Sequence, residues 1–295
     1  LIKPEINIIP KLQFVNEHMA ADFVLVPHPW VKIRRNKDYL SYLTELGRDI
    51  PLIIFNTDDT SPKCTLPNCI EIRSFLHPRE NEFRKIIIPY PTKPIKAPIR
   101  VWRGIPQVSF LGYLPKLSLG SLTSKSRSFL HAPIQSSVYI NRKVTTMRLK
   151  NLRSDFKIVC ITRNYFSLNI ENKNLESDLN EYFVNLFESD YIVCPRGFGN
   201  TSMRFYETLS SGATPILINS GSGLPKLDDS SFWGTNILQV ELLSNWKNKI
   251  IEDWNFLGLG DNYLRRQTKN QQIYKNELNT EKYILKLFKD YTYSI

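Results

Sequence analysis

Residues 194–219, "CPRGFGNTSMRFYETLSSGATPILIN", join a strand pattern to a helix pattern through a glycine-rich loop. Gly197 and Gly199 allow the backbone to turn tightly and allow a ligand to approach the amides. The helix pattern begins after the loop, and Thr201 or Ser202 can cap its start. Free amides at the start of a helix, together with the helix dipole, attract an anion. The loop is therefore predicted to bind an anionic group.

Charged residues around this loop narrow the kind of anion. Arg196 precedes the predicted helix and Arg204 lies in its first turn, and the forked donors of arginine suit phosphate oxygens. Glu207 follows Arg204 by one turn on the same face, where a carboxylate can accept hydrogen bonds from ribose hydroxyls. The set predicts a nucleotide-diphosphate site.

Three other interpretations of the same stretch stay open. Arg204 and Glu207 could form an ordinary salt bridge within a helix. The glycine pattern is a broken GxGxxG, which is weak evidence for a nucleotide site by itself. "RGFGN" also begins like an RNA-recognition signature, but Asn200-Thr201-Ser202 follows where that signature has Phe-Val-x-aromatic.

Composition sets the broad class of the protein. The chain has 295 residues, of which 42% are hydrophobic and 23% charged, as in a soluble globular protein. The formal net charge of +11 is compatible with an anionic ligand, a nucleic acid or an anionic membrane surface. Basic residues are spread along the chain without a basic tail, and no apolar run reaches the roughly 20 residues of a membrane span. We expect a cytoplasmic protein, with the membrane surface as a further location.

The first residue is Leu1 and the first segment lacks the features of a signal peptide, so a processed chain with a missing upstream segment stays open. If the source is eukaryotic and an N-terminal anchor is missing, we expect the Golgi lumen instead. The one N-x-S/T sequon, at Asn200, lies in the glycine-rich loop, where a glycan would block a ligand.

The four cysteines give no metal site. Cys160 and Cys194 lie in apolar runs and are predicted to be buried. Cys64 and Cys69 flank "TLPN" and could pair in an oxidising compartment. No further Cys or His pair completes a zinc site.

Short apolar runs alternate with helix patterns, which predicts an α/β fold with parallel sheets. The predicted strands are 22–27, 51–56, 68–75, 83–90, 107–113, 156–163, 190–197, 214–219 and 235–240. The predicted helices are about 36–48, 121–131, 175–188, 201–211, 241–254 and 270–292. "PYPTKPIKAP", residues 89–98, is typical of a linker. It divides the chain into domains 1–98 and 99–295, with four and five strands that face each other across a cleft.

The stretch from "SDYIVCPRGFGN" to "TPILIN" resembles the C-terminal signature of exostosin-family glycosyltransferases: a strand, Cys-Pro-Arg-Gly, a spacer, Ser-x-Arg-x-x-Glu, then Gly and Pro before another strand. "AADFVLVP", "FNTDD", "KIIIPYP" and "QVSFLGYLP" resemble other family segments more loosely. The resemblance implies a GT-B architecture, in which the first Rossmann-like domain serves the acceptor and the second binds the nucleotide sugar. It also implies that the last helix can pack back on the first domain.

The activity implied by the resemblance is transfer of a sugar from a nucleotide-diphosphate donor, mainly a uridine one, with inversion at the anomeric carbon. A glycan, glycolipid or glycoprotein would be the acceptor. No cofactor or metal is expected, because "TDDT" and "LDDS" lack the Asp-x-Asp pattern. An inactive relative that keeps nucleotide or glycan binding, and a nucleic-acid-binding α/β protein, are the alternatives. If the chain is a glycosyltransferase, no nucleic-acid partner is expected.

The resemblance also assigns residues to the donor site. Arginines would face the diphosphate, the loop would surround it, and Glu207 would hold the ribose. The donor-binding candidates are Gly112, Arg163, Arg196, Gly197, Phe198, Gly199, Asn200, Ser202, Arg204 and Glu207.

Inversion requires a general base that deprotonates the acceptor hydroxyl, expected in the first domain. His28 ends the first predicted strand, and Asp58 and Asp59 follow the second. All three would lie at carboxyl ends of parallel strands, where sites occur. The alternative for each is a surface turn or a helix cap.

Overall fold

A computed structural model describes residues 21–57, 63–76, 83–114, 132–164, 175–197 and 199–292. Their strands form two parallel sheets, one with four strands and one with five. The two sheets confirm the predicted fold class, α/β with two Rossmann-like units.

The first sheet has the order β1-β2-β3-β4, and every neighbouring pair is parallel. Its strands are β1 Val24–Leu25, β2 Leu52–Phe55, β3 Cys69–Arg73 and β4 Lys85–Ile87. Each lies inside a predicted apolar run. Continuous runs such as "LIIF" suit strands that helices cover on both faces.

The second sheet has the order β6-β5-β7-β8-β9 and is also parallel throughout. Its strands are β5 Gln107–Tyr113, β6 Lys157–Arg163, β7 Tyr191–Cys194, β8 Thr214–Ile218 and β9 Leu238–Val240. The strand order reverses direction between β5 and β7, because β6 lies on one side of β5 and β7 to β9 lie on the other.

The helices of the described residues agree in part with the prediction. They are α1 Trp30–Ile33, α2 Lys37–Asp49, α3 Ala132–Asn151, α4 Leu175–Glu188, α5 Met203–Ser210, α6 Phe232–Thr235, α7 Trp246–Leu257, α8 Asn262–Asn276 and α9 Thr280–Thr292. The long helix α3 and the short helices α1 and α6 were not predicted, and the predicted helix 121–131 lies outside the described residues. The single helix predicted over 270–292 is wrong, since one helix ends at Asn276 and the Asn279 Oδ1 caps the next by accepting the Lys282 amide at 3.1 Å.

Helix α9, at the end of the chain, packs against the first sheet. Its Ile284 and Phe288 are buried together with Ile53, Ile72 and Ile88 of the strand region. The chain thus crosses to the second unit and returns, which joins the two units through a shared apolar cluster.

The proline-rich segment 89–98 forms neither helix nor strand, yet side chains of the second unit hold it. The Thr92 and Tyr274 hydroxyls lie 2.8 Å apart, and the Ile95 amide donates to Ser210 Oγ at 2.7 Å. Further along, the Arg100 backbone amide donates to Gln267 Oε1 at 2.8 Å, and Gln267 Nε2 donates to the Arg100 carbonyl at 2.9 Å. The segment is therefore a fixed strap over α8.

The cysteines agree with most of the prediction. Cys194 is fully buried, whereas Cys160 is only partly buried against the core. Cys64 and Cys69 are free thiols whose sulfurs lie 3.5 Å apart. Within the described part of the chain, none of the helices combines the length and the apolar character that crossing a bilayer requires.

The packing of α9 gives a stability prediction. Ile284→Ala removes a fully buried side chain from the cluster between α9 and the first sheet, so we expect a loss of about 2–5 kcal/mol in chemical denaturation. Lys282→Ala, at an exposed position of the same helix, is the control and should change stability by less than about 0.5 kcal/mol. Equal effects of the two substitutions would show that α9 is not docked.

Candidate functional site

The reversal of strand order between β5 and β7 marks the candidate site. In open parallel sheets a ligand binds outside the carboxyl ends of the strands, where neighbouring connections leave in opposite directions. Strand β5 ends at Tyr113 and β7 ends at Cys194, directly before Pro195 and Arg196. The glycine-rich loop identified from the sequence therefore starts at this crevice.

The loop closes on itself at Gly197. The Gly197 amide donates to the Thr201 carbonyl at 2.7 Å, and a Cβ on Gly197 would lie 2.8 Å from that same oxygen. We predicted that Gly197 lets a ligand approach, and this is corrected: its amide is already used, and glycine is required for the turn. Gly199 is buried within the same loop.

Asn200 ties the loop to both units. Its Nδ2 donates to the Leu76 carbonyl at 2.7 Å and to the Ser220 carbonyl at 3.1 Å, and the residue has no exposed surface. Its φ of 58° lies in the left-handed region, which asparagine tolerates. A glycan on Nδ2 would disrupt both bonds. Asn200, predicted to contact the donor, instead holds the loop in place.

Arg142 on α3 joins the ends of β5 and β7. Its Nη1 donates to the Tyr113 carbonyl at 2.7 Å and its Nε to the Arg196 carbonyl at 3.4 Å. Burial and the nearby Arg204 guanidinium lower the pKa of Arg142 to about 10. Burial also lowers the pKa of Arg196. The Arg142 and Arg204 guanidinium groups are thus close enough to repel each other at the crevice, and that of Arg142 is largely removed from water.

Two aromatic rings hold the Arg204 side chain. Its guanidinium carbon lies 5.0 Å from the ring centroid of Tyr182 on α4 and 5.6 Å from that of Phe110 on β5. Its Nη1 is buried and has no hydrogen-bond partner among the described residues. A Cβ on Gly112 would lie 2.8 Å from the Phe110 ring, so Gly112 leaves the space that this ring fills.

Glu207 interacts with Tyr182 and forms no salt bridge with Arg204. The Tyr182 hydroxyl donates to Glu207 Oε2, and Glu207 is only 4% exposed. Burial raises the pKa of Glu207, while the Tyr182 hydrogen bond and Arg204 oppose that rise. Burial, followed by the Glu207 charge, holds the pKa of the Tyr182 hydroxyl well above its usual value. The ordinary helical salt bridge considered from the sequence is therefore absent between these two residues.

Two other sequence candidates lie in different surroundings. Arg163 ends β6 opposite Tyr113, and its guanidinium contacts Asp178 Oδ1 at 3.1 Å and also Glu181, so two carboxylates balance its charge. Its contact with a donor phosphate stays a prediction. His28 is exposed just after β1, with its ring 5.9 Å from Tyr39 in an edge contact.

Ser202 occupies the N-cap position of α5, but its side chain makes no capping bond, so its hydroxyl does not cap the first turn. Three candidates, Phe198, Asp58 and Asp59, lie outside the described residues.

Two residues of the site, Arg142 and Tyr182, were not predicted from the sequence. Arg142 belongs to the helix that was not predicted, and Tyr182 lies on the inward side of α4 with no local motif around it. Both act on residues far away in the sequence, 54 positions for Arg142 and Arg196 and 25 for Tyr182 and Glu207.

Comparisons with known proteins give distant structural similarities. No family model matches the chain, and no curated protein matches it. An α1,3-fucosyltransferase is 15% identical, with a TM-score of 0.38, over 87% of this chain and 71% of its own. TarM is 10% identical, with a TM-score of 0.39, over 85% and 57%. A glycosyltransferase from Rickettsia africae ESF-5 is 12% identical, with a TM-score of 0.39, over 90% and 82%. Similarity this loose does not identify a function, and the exostosin resemblance stays a prediction.

The Tyr182–Glu207 contact gives a pH-dependent prediction. Because folding raises the pKa of Glu207, its contribution is most favourable below the unfolded pKa and is lost as pH rises through the folded pKa. Tyr182→Phe removes the hydrogen bond that the ionised carboxylate accepts. We expect a loss of about 1–3 kcal/mol at neutral pH and a smaller loss at about pH 4, where Glu207 is largely protonated. Denaturation of both proteins at the two pH values measures this, and equal losses would contradict it.

Proposed function

We propose that this protein is an inverting glycosyltransferase that moves a sugar from a nucleotide-diphosphate donor, most simply a UDP-sugar, to a hydroxyl of a glycan or glycoconjugate. The observation that carries the proposal is the pair of guanidinium groups of Arg142 and Arg204, which repel each other beside the loop that starts at Arg196, at the strand-order reversal of the second sheet. An anion between them would offset their mutual repulsion and their burial.

Diphosphate suits this crevice better than a single carboxylate or sulfate. A diphosphate carries two adjacent charged groups, which can accept from the forked donors of more than one arginine. Arg204 offers a buried Nη1 without a described partner, and the uncapped start of α5 at Ser202 offers backbone amides. The rings of Phe110 and Tyr182 would keep the Arg204 guanidinium in the same position when no ligand is bound.

The ribose would bind at the Glu207 carboxylate, and the acceptor would bind beside the first unit. Glu207 is the proposed ribose contact, which requires its carboxylate to exchange the Tyr182 hydroxyl for a ribose hydroxyl. In the transfer, an acceptor oxygen attacks the anomeric carbon and the bond from that carbon to the phosphate oxygen breaks. The nucleoside diphosphate leaves on the arginines, and Asp58, Asp59 or His28 takes the acceptor proton.

Nucleotide binding tests the donor site directly. A thermal-shift screen with UDP, GDP and CMP should give a rise in melting temperature with a diphosphate, since a ligand that binds only the folded protein stabilises it. Free ligand at about 100 times its Kd would add about 2.7 kcal/mol to the free energy of unfolding. The rise in melting temperature should be unchanged by a chelator, because we expect no metal ion to take part in donor binding.

Matched arginine variants locate the binding site in the same screen. Arg204→Met and Arg142→Met should weaken diphosphate binding about 10- to 100-fold, the size expected for a lost charged hydrogen bond. Arg48→Met, at an exposed position of α2, should bind like the parent protein. Arg204→Lys keeps the charge without the fork and should be intermediate. Unchanged affinity in both crevice variants, with normal folding, would refute the site.

Donor turnover separates the enzyme from an inactive relative. We expect nucleoside diphosphate to be released from one member of a panel of UDP- and GDP-sugars when glycan acceptors are present. One of Asp58→Asn, Asp59→Asn and His28→Gln should abolish release and leave the UDP thermal shift unchanged, because a base acts on the acceptor. Diphosphate binding without release from any donor and acceptor pair would favour the inactive relative.

A further inference from the structure

Exposed apolar side chains gather at the end of the second sheet opposite the crevice. Val101, Trp102 and Ile105 follow the proline-rich strap and are 84%, 43% and 62% exposed. Phe256 and Leu259, at the corner between α7 and α8, are 53% and 64% exposed. These five residues form what we call the corner patch.

Contacts join the two segments of the corner patch. The Trp102 ring stacks on Trp254 of α7 with centroids 5.6 Å apart, and a Cβ on Gly258 would lie 2.9 Å from Trp102. The Trp254 Nε1 donates to the Gly104 carbonyl at 3.1 Å. The 101–105 segment is therefore fixed against the helix corner, and its apolar side chains stay outside the core.

Basic residues border the patch. The amide of exposed Lys157 donates to the Pro106 carbonyl at 3.1 Å, so Lys157 lies beside Ile105. Exposed Arg153 lies in the turn before β6, and exposed Arg265 lies in the first turn of α8. Of the nearby acids, Asp155 is paired with Lys247 at 2.6 Å and Asp253 with Arg266 at 2.6 Å, whereas Glu252 and Asp261 are exposed and fewer than the three exposed cations. The border thus carries net positive charge in a protein of net charge +11.

We propose that the corner patch binds the surface of an anionic lipid bilayer. Aliphatic side chains and a tryptophan on fixed loops can enter the interface between headgroups and acyl chains, while surrounding Lys and Arg attract the headgroups. A stable protein–protein interface uses about 20–30 residues on each side, far more than the five of this patch. Small apolar area with a basic border therefore fits a lipid surface better than a second copy of the chain.

The position of the patch keeps the crevice clear of the membrane. Gly104 and Pro106 precede β5, whereas Gly112 and Tyr113 of the crevice end it. Seven strand residues span about 20 Å. A protein lying on lipid through the corner patch would thus hold its crevice open to water, and lipid binding does not depend on what the crevice binds.

Vesicle co-sedimentation of the full chain tests this proposal. We expect binding to phosphatidylcholine vesicles that contain phosphatidylglycerol, weak binding to phosphatidylcholine alone, and a decrease at high salt. The double variant Val101→Asp/Leu259→Asp should bind at least about tenfold more weakly, because it places charge in the apolar contact. Leu243→Asp is the matched control, since Leu243 is 74% exposed and follows β9 at the other end of the sheet.

Three results would each overturn the proposal. The first is equal binding of the double variant, the Leu243→Asp control and the parent protein to anionic vesicles. The second is no binding by any of these proteins. The third is a dimer of the parent protein in sedimentation velocity that the double variant dissolves without a change in vesicle binding. All replaced residues are exposed, so unchanged melting temperatures would show that each variant is folded.

Discussion

Two like charges in one crevice, the guanidinium groups of Arg142 and Arg204, are the constraint around which the second unit is organised. Burial, followed by the Arg204 charge, lowers the pKa of Arg142, so the folded chain holds these two groups together at a cost in stability. Backbone carbonyls at the ends of β5 and β7 hold Arg142, and the rings of Phe110 and Tyr182 hold Arg204. Perturbed pKa values of this kind are common at functional sites.

The parts that surround the crevice are fixed from several directions. Asn200 joins the loop to the chain after β3, and α9 joins the first sheet to the second unit. The strap of residues 89–98 lies against α8 through the hydrogen-bonded hydroxyls of Thr92 and Tyr274, and against the end of α5 through the Ile95 amide, which donates to Ser210. A ligand would therefore meet a crevice whose groups are already oriented, which lowers the entropy that binding must overcome.

Two ends of one strand carry the two surfaces of interest. The carboxyl end of β5, at Gly112 and Tyr113, borders the arginines, and its amino end, at Gln107, adjoins the corner patch. Parallel sheets separate these ends because every strand runs in the same direction. One unit can thus hold a polar ligand at one end and present apolar side chains to a lipid surface at the other.

The sequence by itself determined the nine strands of the described residues, their division into four and five, and the loop and following helix that carry Arg196 and Arg204. Those features depend on local patterns: continuous apolar runs, glycines and a capping residue within about ten positions of one another. The break near Asn279 and the helix from Ala132 to Asn151 were missed, since the first is a single cap and the second has no clear apolar face.

Only the tertiary structure decided which polar groups meet. It brought Arg142 to the crevice, gave Glu207 the Tyr182 hydroxyl as its partner, and paired Arg163 with Asp178 and Glu181. These contacts join residues on separate elements, and their geometry depends on strand order and helix packing. The local periodicity of the sequence does not specify strand order or helix packing, because the same pattern of apolar residues is compatible with many strand orders.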